Sequence, residues 1–157
     1  MKKEEDVIEL AKRVCKRLKP FCKRIEIAGS IRRGEKHPYD IDIVLIPKDK
    51  TKLEEFMKTQ LKGKFLQGGE HESTWMVNRK KVELYYTNEE EWGAELFAYS
   101  ARKGYGIGLR IKARMKGFKL TQHGLFDRKT GKRIAGRTET EIYHALGKHY
   151  KRPENRI

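Results

Sequence analysis

The stretch Asp40-Ile-Asp-Ile-Val-Leu-Ile46 constrains this chain more than any other. Its polar and apolar residues alternate with the two-residue period of a β-strand. Asp40, Asp42 and Val44 fall on one face, and Ile41, Ile43 and Leu45 on the other. A wholly apolar face must be covered to leave water, so this strand belongs in a sheet with something packed on one side. The opposite face then carries two carboxylates, two residues apart and pointing the same way. Two such anions repel unless a cation lies between them. Magnesium, a hard ion that seeks oxygen ligands, suits the pair. The plain alternative for a bare Asp-x-Asp is a solvated strand face.

The rest of the chain narrows what such a sheet is for. The 157 residues suit one domain or two small subdomains around a modest core. There are 37 Lys and Arg against 22 Asp and Glu, a net charge of +15. So basic a surface speaks of its partners: phosphate polymers first, acidic membranes second. No apolar run approaches the ~20 residues of a spanning helix. The start, MKKEEDVIEL, holds no apolar leader core. Cys15 and Cys22 have no metal spacing and read as reduced thiols. The expectation is a monomer that does not engage membranes, intracellular (cytoplasmic) and not secreted. Charge is uneven: residues 1–90 carry an excess of +5, residues 91–157 one of +10. A polyanion track is expected on the second segment.

Periodicity places the elements. Val7, Leu10, Ala11, Val14 and Leu18 mark an amphipathic helix that Pro20 stops. Ile25 and Ile27 mark a strand running into Gly29-Ser30. Leu53, Phe56, Met57 and Leu61 mark a second helix. Strands follow over Thr74–Val77 and Lys81–Tyr86, joined at Asn78-Arg79. Residues 92–117 read as mostly helical, interrupted by glycines. Short strands are expected at 119–120, 125–127 and 133–134, and Thr138-Glu-Thr-Glu141 opens a last helix.

Two more features join the paired aspartates. Gly29-Ser30 ends a strand and precedes Ile31-Arg-Arg-Gly34. A glycine there lets backbone N–H groups approach a ligand, and a serine hydroxyl at a helix start favours phosphate oxygens. Arg33 adds a fixed positive charge. Glu83 sits mid-strand among apolar neighbours that face the other way, although strand interiors are poor in glutamate. Taken singly, these are equally an ordinary turn and a surface glutamate.

Together, Gly-Ser-x-Arg-Arg-Gly, then Asp-x-Asp, then a carboxylate on a later strand resemble the polymerase beta-like nucleotidyltransferases, and family X DNA polymerases in particular. GSIRRGEKHPYDIDIVLI carries the likeness. GLRIKARMKGFKLTQHGLF and TETEIYHALGKHYKRPENRI extend it over about residues 22–157. The twenty-odd residues before it hold neither a lyase domain nor a helix-hairpin-helix module, so the likeness is to the smallest viral members. The resemblance implies an α+β fold: a nucleotidyltransferase palm with its N-terminal helix over 1–90, a mixed sheet with helices on one face. A small α/β subdomain over 91–157 would select nucleotide and bind DNA. It implies a DNA-directed DNA polymerase that fills short gaps in repair, with deoxynucleotide and primed or gapped DNA as partners. Asp40, Asp42 and Glu83 would hold two magnesium ions, for which manganese can substitute. Gly29, Ser30 and Arg33 would hold the triphosphate, and Tyr99 would stack against the sugar.

The chain departs from the family at two places. Glu83 stands where aspartate is usual, which moves the charge one methylene outward. The family's aromatic pair and Thr-Gly read here as Ala98-Tyr99-Ser100-Ala101, and Gly106 replaces a nucleotide-contacting asparagine. Arg102, Lys103, Arg110, Lys112, Arg114 and Lys116 form a basic cluster that reads as a DNA-backbone track, with Arg110 at the family's positioned arginine. The histidines at 37, 71, 123, 144 and 149 lack ligand spacing, and none is assigned to a metal. Two other readings stand beside the polymerase. One is a minimal nucleotidyltransferase acting on RNA, protein or a small molecule. The other is a DNA-binding protein weakened at Glu83.

Overall fold

A computed structural model describes residues 5–157; the first four residues, part of the charged start, lie outside it. The chain divides into two compact units, Met1–Thr87 and Asn88–Ile157. Counted at this boundary the charge excess is +7 and +8, so the second unit is the more basic per residue but by less than the division at 90 suggests.

The first unit is a five-stranded mixed sheet in the order β1-β2-β5-β4-β3. Its strands are β1 (Cys22–Ile27), β2 (Ile41–Pro47), β3 (Lys64–Gly68), β4 (Glu72–Val77) and β5 (Lys80–Tyr86). β2 and β5 run parallel; every other pair is antiparallel. Two helices, α1 (Val7–Leu18) and α3 (Lys50–Thr59), supply apolar stripes. Leu10, Ala11, Val14 and Leu18 of α1 join Leu53 and Met57 of α3 against Ile41, Ile43, Leu45, Val82 and Leu84 in one core. These are the residues that the two periodicities point inward. α1 begins with a capping box in which the Asp6 carboxylate accepts from the Glu9 backbone N–H at 2.8 Å. At the β4–β5 turn, Asn78 and Arg79 both take positive φ, the mirror-image turn that matches strand twist.

The second unit holds α4 (Trp92–Ala98), α5 (Lys103–Met115), a three-stranded antiparallel sheet of β6 (Phe118–Thr121), β7 (Gly124–Asp127) and β8 (Arg133–Ala135), and α6 (Glu139–Ala145). Phe97, Leu109, Ala113, Leu125, Ile142 and Tyr143 form its core. Thr138 caps α6 by accepting from the Glu141 N–H at 3.0 Å. The C-terminal tail is locked by Arg156, which is fully buried, donates to Glu139 at 2.7 Å and lies over the rings of Phe97, Tyr143 and Tyr150.

Thus the fold is α+β, a mixed sheet with helices packed on it and a smaller mixed unit. β3 is the one strand that the alternation did not reveal: all five of its residues are exposed, so it has no buried face to betray it. Among the described residues, no helix is long and apolar enough to cross a membrane. Cys15 and Cys22 are free thiols; burial, and then the neighbouring Cys15, push the Cys22 thiol up to about 12.

Candidate active site

The parallel pairing of β2 with β5 sets the floor of the site. It places Asp42 directly opposite Glu83 in register. Lys81, Glu83 and Tyr85 alternate along β5 and so share one face, while Val82, Leu84 and Tyr86 point into the core. The Tyr85 hydroxyl donates its one proton to Glu83 Oε2 and lies 3.2 Å from Asp42 Oδ1 as well. Lys81 Nζ lies 2.8 Å from Glu83 Oε1. Burial, then the neighbouring Glu83, push the Asp42 carboxyl up to about 7. Burial acts the same way on Glu83, but hydrogen bonds from Lys81, Tyr85 and Asp42 outweigh it and hold that carboxyl below its ordinary value. One carboxylate is therefore compensated by protein donors and the other is short of positive charge.

Asp40 differs from its sequence reading. It precedes β2 by one residue, in a bend, and is exposed. It is not a strand residue, although its charge still acts on Asp42 and Lys81. The face opposite the core is also less open than the alternation implies, because Val44 and Ile46 are buried too. Only Asp42 on β2 retains partial access there.

The Gly-Ser turn meets this floor directly. Gly29 has φ +63°, and a Cβ built on it would lie 2.3 Å from Asp42 Oδ2. No side chain fits between the turn and the carboxylate. The Ala28 N–H donates to the Asp42 carbonyl at 2.7 Å, which ties the turn to β2. α2 (Gly29–Arg32) is a single turn that begins at this glycine. Ser30 is half-buried on it. Arg33 follows; its Nη2 lies 3.4 Å from Glu35, but its Nε is buried and meets no acceptor among the described residues. A buried orphan donor on a guanidinium is costly unless an anion completes it.

In the second unit a cavity of about 220 Å³ gathers Tyr99, Arg102, Lys103 and Arg110 with Gly106, Phe97, Ala98 and the β6 edge Leu120–Gln122. Four residues singled out in the sequence thus share one wall. Arg114 and Lys116 lie outside it. At about 100° per residue, Lys103, Arg110 and Arg114 fall along one exposed line of α5. Lys112 and Lys116 point elsewhere, toward Lys148 and Lys151, whose company holds the Lys148 ammonium below its ordinary value. The basic cluster is therefore two patches. Sequence reasoning missed Lys148 and Lys151, which are distant in the chain. It also missed Tyr85 and Lys81, for which the shared strand face was an available signal.

The description DNA polymerase beta thumb matches residues 95–157. Several relatives are named Repair DNA polymerase X and come from African swine fever virus. The protein of a Kenyan pig isolate is 29% identical over 149 residues, covering 89% of this chain and 85% of that protein. That of the Badajoz strain is 28% identical over 148 residues with the same coverage. DNA polymerase IV of Saccharomyces cerevisiae is 35% identical over 77 residues, which is 49% of this chain and 13% of that protein.

Proposed function

We propose that this chain is a family X DNA polymerase and that it fills short gaps in DNA by extending a 3′ end across the Asp42–Glu83 floor. It is a DNA-directed DNA polymerase of the repair type, and polymerases of this kind use divalent metal. In this reading the palm is the first unit with its N-terminal helix, and the second unit grips nucleotide and DNA.

The observation that carries the reading is the register pairing of Asp42 with Glu83 under the Gly29 turn. Two carboxylates that share a surface, one of them raised to about 7 by burial and its neighbour, are the donor set a hard dication relieves. Asp40, Asp42 and Glu83 would hold magnesium, with manganese as substitute. Bound there, magnesium would make the primer 3′-hydroxyl more acidic and offset charge developing on the phosphates. Tyr85 sits between the two carboxylates, its single hydroxyl proton directed at Glu83 and its oxygen also within reach of Asp42. The backbone at Gly29, the Ser30 hydroxyl and the orphan Arg33 Nε receive the β and γ phosphates of the incoming nucleotide, and so orient its α-phosphorus for in-line attack. Pyrophosphate leaves toward these same groups. Tyr99, on the cavity wall, packs against the sugar. Arg102, Lys103, Arg110 and Arg114, with Lys116 on the neighbouring patch, hold the DNA backbone.

The test is incorporation of labelled nucleotides into gapped DNA, single-stranded DNA and RNA with magnesium. The expected result is extension of gapped DNA above the other two. Preferential extension of RNA, or labelling of protein, favours a nucleotidyltransferase with another acceptor. Binding of DNA without incorporation favours a protein disabled at Glu83.

A further inference from the structure

Among the described residues, the mechanism leaves one group of ligating side chains unused. Glu91, the residue that precedes α4, Glu95 one turn later, and His123 in the β6–β7 turn each present one ligand atom, and these atoms all lie within 4.8 Å of one another. Glu95 and His123 lie 28 positions apart, so no local spacing announces the group, and none of the histidines reads as a ligand from sequence. We propose that Glu91, Glu95 and His123 form a zinc-class metal site that staples the β6–β7 hairpin to α4.

Glu95 is what points to a ligand. It is only 3% exposed, yet its carboxylate has no hydrogen bond and no ion pair among the described residues. The neighbouring Glu91, another anion, adds to the cost of its charge. A carboxylate so little exposed, with no protein donor, is poorly compensated for the water it loses. The surroundings are instead built to aim the other two ligands. Asn88 Nδ2 donates to Glu91 Oε2 at 2.7 Å, while Glu91 Oε1 pairs with His123 Nδ1. Arg133 donates to the His123 carbonyl at 2.6 Å and so fixes the turn that carries the ring. Outer contacts that orient a ligand in this way are typical of metal centres.

The donor chemistry selects the ion. One imidazole and two carboxylates suit zinc or its neighbours, whereas magnesium and calcium prefer all-oxygen sets. The two carboxylates neutralise a dication. Three protein ligands leave a position for water. The consequence is mechanical: Glu91 just before α4 and Glu95 within it lie on the segment that continues into Ala98 and Tyr99, and His123 adjoins Gln122. Both joined elements wall the 220 Å³ cavity, so the ion would fix the spacing of its walls.

The test uses the full chain, dialysed against micromolar zinc with millimolar magnesium present to occupy all-oxygen sites. Bound zinc is measured by atomic emission, cobalt(II) serves as a spectroscopic probe, and thermal unfolding is followed with and without zinc. The expected result is one zinc per chain, visible cobalt d–d bands and a zinc-dependent rise in Tm. His123→Ala and Glu95→Gln should each weaken zinc binding by more than the ~10–100-fold typical of losing an outer contact. Asp42→Ala should retain it. Glu95→Leu keeps the test sound if polar variants misfold. It removes the buried charge, so the metal-free chain should be at least as stable as wild type while showing no response to zinc. Absence of zinc binding by the wild type overturns the assignment. So does zinc retained at full affinity by His123→Ala, or zinc lost on Asp42→Ala. None of these outcomes depends on polymerase activity.

Discussion

Gly29→Ala should separate activity from stability, because the clash it creates falls on a movable functional atom. The new Cβ would lie 2.3 Å from Asp42 Oδ2 and 3.1 Å from the Asp42 Cβ and Cγ, against an ordinary contact of 3.4–4 Å. The carboxylate must therefore retreat by about 1 Å. Being the end of a side chain it can do so cheaply, but a misplacement of about 1 Å in a catalytic group costs ~100-fold in rate. The backbone contribution is separate: alanine at φ +63° costs about 1–2 kcal/mol. That corresponds to a loss of about 2–8 °C in Tm for a chain of this size. Gly34→Ala is the control. Gly34 also has positive φ, +75°, but a Cβ there meets nothing within 4 Å. It should lower Tm comparably and leave the rate near wild type. The assay is single-turnover filling of a one-nucleotide gap, paired with thermal unfolding. A Gly29→Ala protein that works at the wild-type rate, or a Gly34→Ala protein equally slow, would show that the close approach of Gly29 to Asp42 does not position the carboxylate for transfer.

Other outcomes follow from the same geometry. Glu83→Asp should preserve or raise the extension rate and Glu83→Gln largely remove it; equal rates for Glu83→Gln and wild type would show that the third carboxylate lies elsewhere. Replacing Lys103, Arg110 and Arg114 with alanine should flatten the plot of log affinity against log salt by up to about 2.7, at about 0.9 per lost phosphate contact. An unchanged slope would move DNA binding to the Lys112–Lys148 patch or the first unit. For pH, Asp42 binds its proton more tightly folded, at about 7, than unfolded, at 3.8, so its contribution to metal-free stability is greatest below pH ~4 and is lost as pH rises toward 7. Urea unfolding in chelator should show Asp42→Asn gaining on wild type across that window, and a constant difference between the two would contradict the burial of this carboxyl.

The core strands and helices were legible because each carries an unambiguous apolar face: Ile41, Ile43 and Leu45 on β2, and Leu10, Val14 and Leu18 on α1. β3 was not, since a strand with every residue exposed has no periodic burial to read. At the site, Asp42, Glu83 and Gly29 were marked by residue type and spacing. Their meeting depends on the parallel β2–β5 register, which is a tertiary fact. Asp40 was read one residue too far into the strand because alternation alone cannot locate a strand end. The pairing of Lys112 with Lys148, and of His123 with two glutamates, spans long stretches of chain and leaves no local pattern.

Whether Asp42 belongs to a metal-holding floor for nucleotide transfer is decided by one comparison. Primer extension on gapped DNA with magnesium should be abolished by Asp42→Ala, while thermal unfolding shows a chain as stable as wild type or more so, because a buried carboxylate facing Glu83 has been removed. An Asp42→Ala protein that incorporates nucleotide at the wild-type rate would show that Asp42 holds no metal needed for the transfer.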